Sequence, residues 1–191
     1  MRFALNPIGG VLAIVLLLGT AAGAAAPFPV IGKPAPDFTL TSQSGAPIRL
    51  SQFRGKLVVL DFIYTHCTDV CPLVTANLAR VQRDLTARGW WVNDVVFVSV
   101  TTDPARDTPA VLRTYAQRYK ADLRGWFFLT GSARTLSAVY KAYGILVRPA
   151  SKGLQEHALP VFVIDRRGTV LGAYGHDFKS ADMLNDLAHL R

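Results

Sequence analysis

The sequence predicts an α/β sandwich built on a central mixed β-sheet. Two strand-length runs, 57–64 (LVVLDFIY) and 95–100 (VVFVSV), are apolar on nearly every residue. Such strands sit inside a sheet covered by helices on both faces. Segments of helical period separate the strands, and the chain closes with a hairpin and a helix, an order that gives two layers of helix around one sheet.

The elements follow in chain order. Residues 38–40 and 48–50 alternate around a polar, Gly-containing turn and read as a hairpin that extends the sheet at its N-terminal side. The run 57–64 is the first central strand. Residues 71–87 carry Leu73, Ala76, Leu78, Val81 and Leu85 at helical spacing, with Gly89 beyond the end. Residues 95–100 form the second central strand. A helix over 108–121 starts at Asp107 or Thr108 as cap, with Pro109 in its first turn. Residues 126–129 give a third strand. The helix over 132–143 is capped by Ser132 and stopped by Gly144. Residues 145–159 read as one long loop, a kind of segment that in compact domains usually carries function. Residues 161–165 and 169–174 flank Arg166-Arg167-Gly168 as a hairpin, and 180–190 form the last helix.

The N-terminus reads differently. Arg2 is followed by no charge until Lys33, and 11–18 (VLAIVLLL) lead into the small residues of 19–26. A positive start, an apolar stretch and A-x-A patterns at 22–24 and 24–26 are the marks of a secretory signal. The uncharged stretch is also long enough for an uncleaved anchor across a core of ~30 Å. Either way the protein is expected to be exported, to the periplasm or the outer face of the cytoplasmic membrane, with 8–26 as the part that meets the membrane. Residues 1–26 are therefore set apart as signal peptide or anchor. Residues 27–36 (PFPVIGKPAP) are Pro-rich and expected as an extended linker. Residues 37–191 form the domain.

Composition narrows the function. The chain has 191 residues, 50% of them hydrophobic and 18% charged. That excludes a disordered chain. With two cysteines it is neither a disulfide miniprotein nor a four-cysteine zinc module. The net charge of +8 comes from scattered Lys and Arg, with no basic run, so no nucleic-acid partner is expected. A basic surface suits an anionic membrane face or an acidic partner.

The chemistry concentrates in Tyr64-Thr65-His66-Cys67-Thr68-Asp69-Val70-Cys71-Pro72. This stretch joins the carboxyl end of a buried strand to a helix start, the place where open α/β sheets keep their sites. The positive end of the helix favours thiolate over thiol, while the charge of Asp69 opposes it. If the first helical turn includes both cysteines, their sulfurs face one side about 6 Å apart along the axis. That is wide for a disulfide and comfortable for a shared metal. Two thiolates select soft ions, and Cu(I) needs the fewest further ligands. The plain alternative is a structural disulfide, which over so short a loop contributes only about 2 kcal/mol.

These residues resemble the Sco/SenC family of copper-binding, thioredoxin-fold proteins. The match comprises C-x-x-x-C-P after Tyr-Thr-His at 64–72, the stretch Asp103-Pro104 with Arg106-Asp107-Thr108-Pro109, and His157 shortly before a strand. It covers about 35–190. The resemblance implies a thioredoxin-like sandwich in which Cys67, Cys71 and His157 bind one copper ion, as Cu(I) or Cu(II). It also implies delivery of copper to the CuA centre of cytochrome c oxidase, or reduction of that centre's cysteines. The partner would be the copper-bearing oxidase subunit or another copper protein. Asp103 matches an acidic position of the family motif and is expected to support the ligands. Thr68 and Glu156 depart from the common pattern, which has Pro and Asp there.

Alternatives remain open at this level. Cys67 and Cys71 with Pro160, whose place eight before Gly168 resembles the cis-Pro region of thioredoxins, suit an exported thiol–disulfide oxidoreductase. Thr68-Asp69-Val70-Cys71-Pro72 resembles a peroxiredoxin core, though Tyr64 stands where that family has Pro. His66, pointing away from Cys67 in an extended lead-in, is the alternative ligand. His176 and His189 read as solvated residues, and two methionines exclude a Met-rich copper site.

Overall fold

A computed structural model describes residues 28–149, 154–157 and 160–191; the expected leader or anchor at 1–26 lies outside them. Nine strands and four α-helices are described: β1 (Thr39–Ser42), β2 (Pro47–Arg49), β3 (Leu57–Ile63), α1 (Val70–Ala87), β4 (Val95–Thr101), α2 (Pro109–Arg118), β5 (Trp126–Thr130), α3 (Ala133–Tyr143), β6 (Val147–Pro149), β7 (Gln155–His157), β8 (Val161–Ile164), β9 (Val170–Tyr174) and α4 (Ser180–Leu190).

Seven strands form one sheet in the order β2-β1-β5-β4-β3-β8-β9. The middle three, β5, β4 and β3, are parallel, and the pairs outside them are antiparallel. Every residue of β3 and β4 is buried, so the doubly apolar runs do mark the strands covered on both sides. The two faces separate by period two. Leu57, Val59, Ile63, Val95, Phe97, Trp126 and Phe128 pack against α1, α2 and α4. Val58, Leu60, Phe62, Val96, Val98 and Val100 pack against α3 and the N-terminal hairpin.

Local chemistry sets the helix ends. Thr108, rather than Asp107, caps α2: its side chain accepts from the Val111 N–H, and Pro109 occupies the first turn. Ser132 accepts from the Thr135 N–H at the start of α3. Gly144 ends α3 in the left-handed conformation at φ 72°. A Cβ there would also lie 2.5 Å from Pro29 Cδ.

Two expectations need correction. The segment after Pro27 is not a free extended linker. Val30 is buried, Phe28 meets the Phe162 ring edge-on at 5.2 Å, and Gly32, Lys33 and Ala35 exchange backbone hydrogen bonds with Val170 and Gly168. Its apolar residues gain more from covering the sheet than the proline-stiffened chain gains from solvent. The stretch 145–159 is not one structureless loop either. It contains the antiparallel pair β6–β7, with Val147 opposite His157 and Pro149 opposite Gln155, separate from the main sheet.

Candidate functional site

At the carboxyl end of β3 the chain leaves the sheet through Tyr64 and Thr65 and turns at Cys67, whose N–H donates to the Tyr64 carbonyl at 3.2 Å. Helix α1 begins at Val70, so Cys71 lies in its first turn and Cys67 before it. The two sulfurs therefore do not sit one helical turn apart. Instead the Cys71 N–H donates to Cys67 Sγ at 3.4 Å, and the thiols are themselves hydrogen-bonded. Both cysteines are free; Cys71 is fully buried and Cys67 is half-buried.

This arrangement splits the pair chemically. The hydrogen bond from Cys71 pulls the Cys67 thiol down to about 5, against burial, and the backbone N–H groups of Asp69 and Cys71 and the Tyr64 hydroxyl add to it. Cys71 is pushed far up by giving that bond, by burial, and by the nearby charges of Cys67 and Asp61. At neutral pH Cys67 is the thiolate and Cys71 the thiol. The charge of Asp69 is expected to oppose the thiolate, but its backbone N–H faces the sulfur and favours it. The low Cys67 value adds stability above the ordinary thiol value, and that stability is lost as pH falls through about 5.

A carboxylate that the sequence presented as a helix cap holds the turn. Asp107, fully buried, accepts from the Thr65 N–H at 3.1 Å and from the hydroxyls of Thr65 and Thr101. Burial raises its carboxyl above the ordinary value, although those hydrogen bonds oppose the rise. Asp103 is directed elsewhere, into an ion pair with Arg106. The acidic support reaching the cysteine turn thus comes from Asp107, not Asp103. Its signal in the sequence was a second acid beside a residue able to cap by itself.

Beneath the pair, Asp61 interrupts the apolar row of β3. Its Oδ1 accepts from Ser99 Oγ at 2.6 Å, and Ser99 Oγ accepts from Trp126 Nε1 at 2.9 Å. Its Oδ2 is buried without a hydrogen-bond partner among the described residues. Burial pushes this carboxyl up to about 7.

His66 is exposed and lines a groove with Ala110, Val111, Thr114 and Arg118 of α2. The backbone of His157 is in β7, and that strand is tied to the site: the Gln155 N–H donates to the Tyr64 hydroxyl at 3.2 Å, three residues before Cys67. The side chains of Glu156 and His157 are outside those described. Among the described residues no three His, Cys, Asp or Glu side chains converge as a ligand set. No described peptide bond is cis, and the bond into Pro160 starts at residue 159, outside the described residues.

Chemically, two sulfur donors in mutual contact, one already ionised, can grip a soft monovalent ion. They can also carry out thiol–disulfide exchange, with Cys67 as nucleophile. Peroxidase chemistry at Cys71 is disfavoured, since that sulfur is buried and held as thiol.

Comparison with known proteins accords with this geometry. The SCO1/SenC family model matches residues 32–191. A SCO1 protein homolog of Bacillus subtilis is 29% identical over 140 residues, covering 72% of this chain and 71% of the relative. The mitochondrial SCO1 homolog of Mus musculus is 28% identical over 169 residues; the match covers 85% of this chain but only 57% of that protein. The crystal structure of a SCO1/SenC family lipoprotein from Bacillus anthracis superposes with a TM-score of 0.75 at 30% identity, covering 87% of this chain and 99% of that one. With its thioredoxin-like sheet and its cysteine turn in place, the chain belongs to the SCO1/SenC family.

Proposed function

We propose that the protein is a copper chaperone that holds one copper ion between Cys67, Cys71 and His157. It passes the ion to the CuA centre of cytochrome c oxidase, or to another copper protein, at the outer face of the cytoplasmic membrane. The observation that carries this reading is the pair of free thiols in contact at the start of α1, with β7 tied to Tyr64 beside them. The donor set fits the ion: two thiolates suit Cu(I), and an imidazole makes Cu(II) accessible at the same place. Export rests on the leader-like pattern of 1–26.

The residues divide the work. Cys67 meets the incoming ion as a thiolate, half-exposed at the surface. Cys71 joins once its proton leaves, so loading releases about one proton near neutral pH. Asp107 keeps the turn in shape through Thr65, so that little reorganisation is needed when the ion arrives or leaves.

Copper titration of the reduced protein tests this reading. One ion per chain is expected, with Cu(I) binding lost in Cys67→Ser and Cu(II) binding weakened in His157→Ala. Binding of several ions per chain, indifferent to His157, would refute it. A second reading has support of its own. The split between an ionised, half-exposed Cys67 and a buried Cys71 thiol is the asymmetry of an attacking and a resolving cysteine. In that reaction Cys67 attacks a target disulfide and releases one target thiol. Cys71 then loses its proton and attacks the Cys67 sulfur, displacing the second target thiol and leaving the target as dithiol and the pair as a Cys67–Cys71 disulfide. A Cys71→Ser variant that fails to accumulate a mixed disulfide would exclude it.

A further inference from the structure

Strand β7 belongs to a two-stranded sheet outside the main one, yet Gln155 fastens it to the cysteine site at two points. Its backbone N–H donates to the Tyr64 hydroxyl at 3.2 Å, and its carbonyl lies 3.5 Å from the same oxygen. Its side chain caps the end of β4: Nε2 donates to the Thr102 carbonyl at 3.1 Å, and Oε1 accepts from the Thr102 hydroxyl at 2.6 Å. The Thr102 hydroxyl has one proton and a second acceptor, the Ile63 carbonyl at 3.2 Å, so the shorter contact to Gln155 is the favoured one. Thr102 is buried, and its N–H donates to Ile63 at 2.7 Å, which makes it a rigid post. The Tyr64 hydroxyl also faces the Cys67 sulfur, so one phenol oxygen touches both halves of the site. His157 follows Gln155 by two residues, about 7 Å of extended backbone.

We infer that Gln155 is a positioning residue: by docking on Thr102 and Tyr64 it keeps β7, and with it His157, against the cysteine turn. This deepens the copper reading above and rests on it. The clamp has two consequences. It shortens the search that a histidine on a separate hairpin makes for the ion. Its side-chain bonds to Thr102 touch neither thiol, so they set the preference between Cu(II), which uses the imidazole, and Cu(I), which two thiolates satisfy. The loss of both side-chain hydrogen bonds should weaken the clamp by at least about tenfold.

The test uses Gln155→Met, which keeps the length and removes both hydrogen-bonding groups, together with Thr102→Val, the double variant and His157→Ala. In reduced, copper-free protein, amide exchange at 155–157 is expected to quicken about tenfold in Gln155→Met, with exchange in β3 and β4 unchanged. Cu(II) affinity is expected to fall about tenfold and Cu(I) affinity to hold. The Cu(II) electron paramagnetic resonance spectrum should move toward that of His157→Ala. The double variant should be no worse than Gln155→Met alone, since that change already removes the bond that Thr102→Val deletes. Full Cu(II) affinity in Gln155→Met beside a defective His157→Ala overturns the clamp, as do strictly additive single effects. An unimpaired His157→Ala instead overturns the copper reading, and the exchange measurement still decides whether Gln155 holds the strand.

Discussion

The cysteine turn and the β6–β7 hairpin contribute to the same site but are held in different ways. The turn grows directly out of β3, a strand buried along its whole length, and a buried carboxylate locks it through Thr65 and Thr101. The hairpin is a three-residue ladder of its own, attached through Tyr64 and Thr102. One half of the site is therefore made by folding the core, while the other is an appended arm with a few polar fastenings. Substitutions in the two regions should separate: in the turn they act on the fold and on the thiols, in the hairpin chiefly on the histidine.

The largest effect is expected from Cys67→Ser or Cys71→Ser, each of which should abolish Cu(I) retention on a desalting column. Asp61→Asn probes the floor under the turn. The rise of its carboxyl from 3.8 to about 7 means that the charged form is penalised in the fold. Stability is thus lost as pH climbs from about 4 to 7 and levels off above, a difference of roughly 4 kcal/mol at most. Asn still accepts from Ser99 and cannot ionise, so the urea midpoint of the parent should fall relative to that of the variant across that range. A midpoint of the parent that rises from pH 4 to 7 relative to the variant would contradict the burial argument.

Asp107→Asn comes next. It leaves the half-buried hydroxyl of Thr65 and the buried one of Thr101 competing for a weaker, neutral acceptor, at a cost of about 2 kcal/mol in urea unfolding. The same variant should speed alkylation of Cys71, which opening of the turn exposes. In the parent, alkylation of Cys67 should follow a single titration with midpoint near 5, rising above it as thiolate forms. A midpoint near the ordinary thiol value would show that the Cys71 hydrogen bond does not form in solution. The smallest effect belongs to His66→Ala. That side chain is exposed on the α2 side of the turn, so copper affinity should change by less than about 0.5 kcal/mol.

Much of this was legible before any coordinates. The strands of the core announced themselves because a strand covered on both faces must be apolar at every position, and β3 and β4 are nearly so. The helices carried their own punctuation in Thr108, Ser132 and Gly144. What escaped were contacts of short polar segments. The strands β6 and β7 have three residues each, too few for a period to emerge, and their pairing depends on each other rather than on a hydrophobic face. Phe28 and Val30 carried an apolar signal, but the surrounding prolines outweighed it. Asp107 was readable as an acid beside a helix start, while the identity of its partners, 42 residues away at Thr65, was not.

The order of buried strands and capped helices, and the placing of two thiols where a strand hands over to a helix, were determined by residue type and spacing alone. Which thiol is ionised was not: both cysteines sit near the same helix end, and only the folded turn decides that Cys67 receives the hydrogen bonds while Cys71 is sealed above Asp61. The difference is physical. Periodicity and capping act between neighbours along the chain, whereas a proton's preferred sulfur depends on donors, burial and charge that meet only after distant segments have packed.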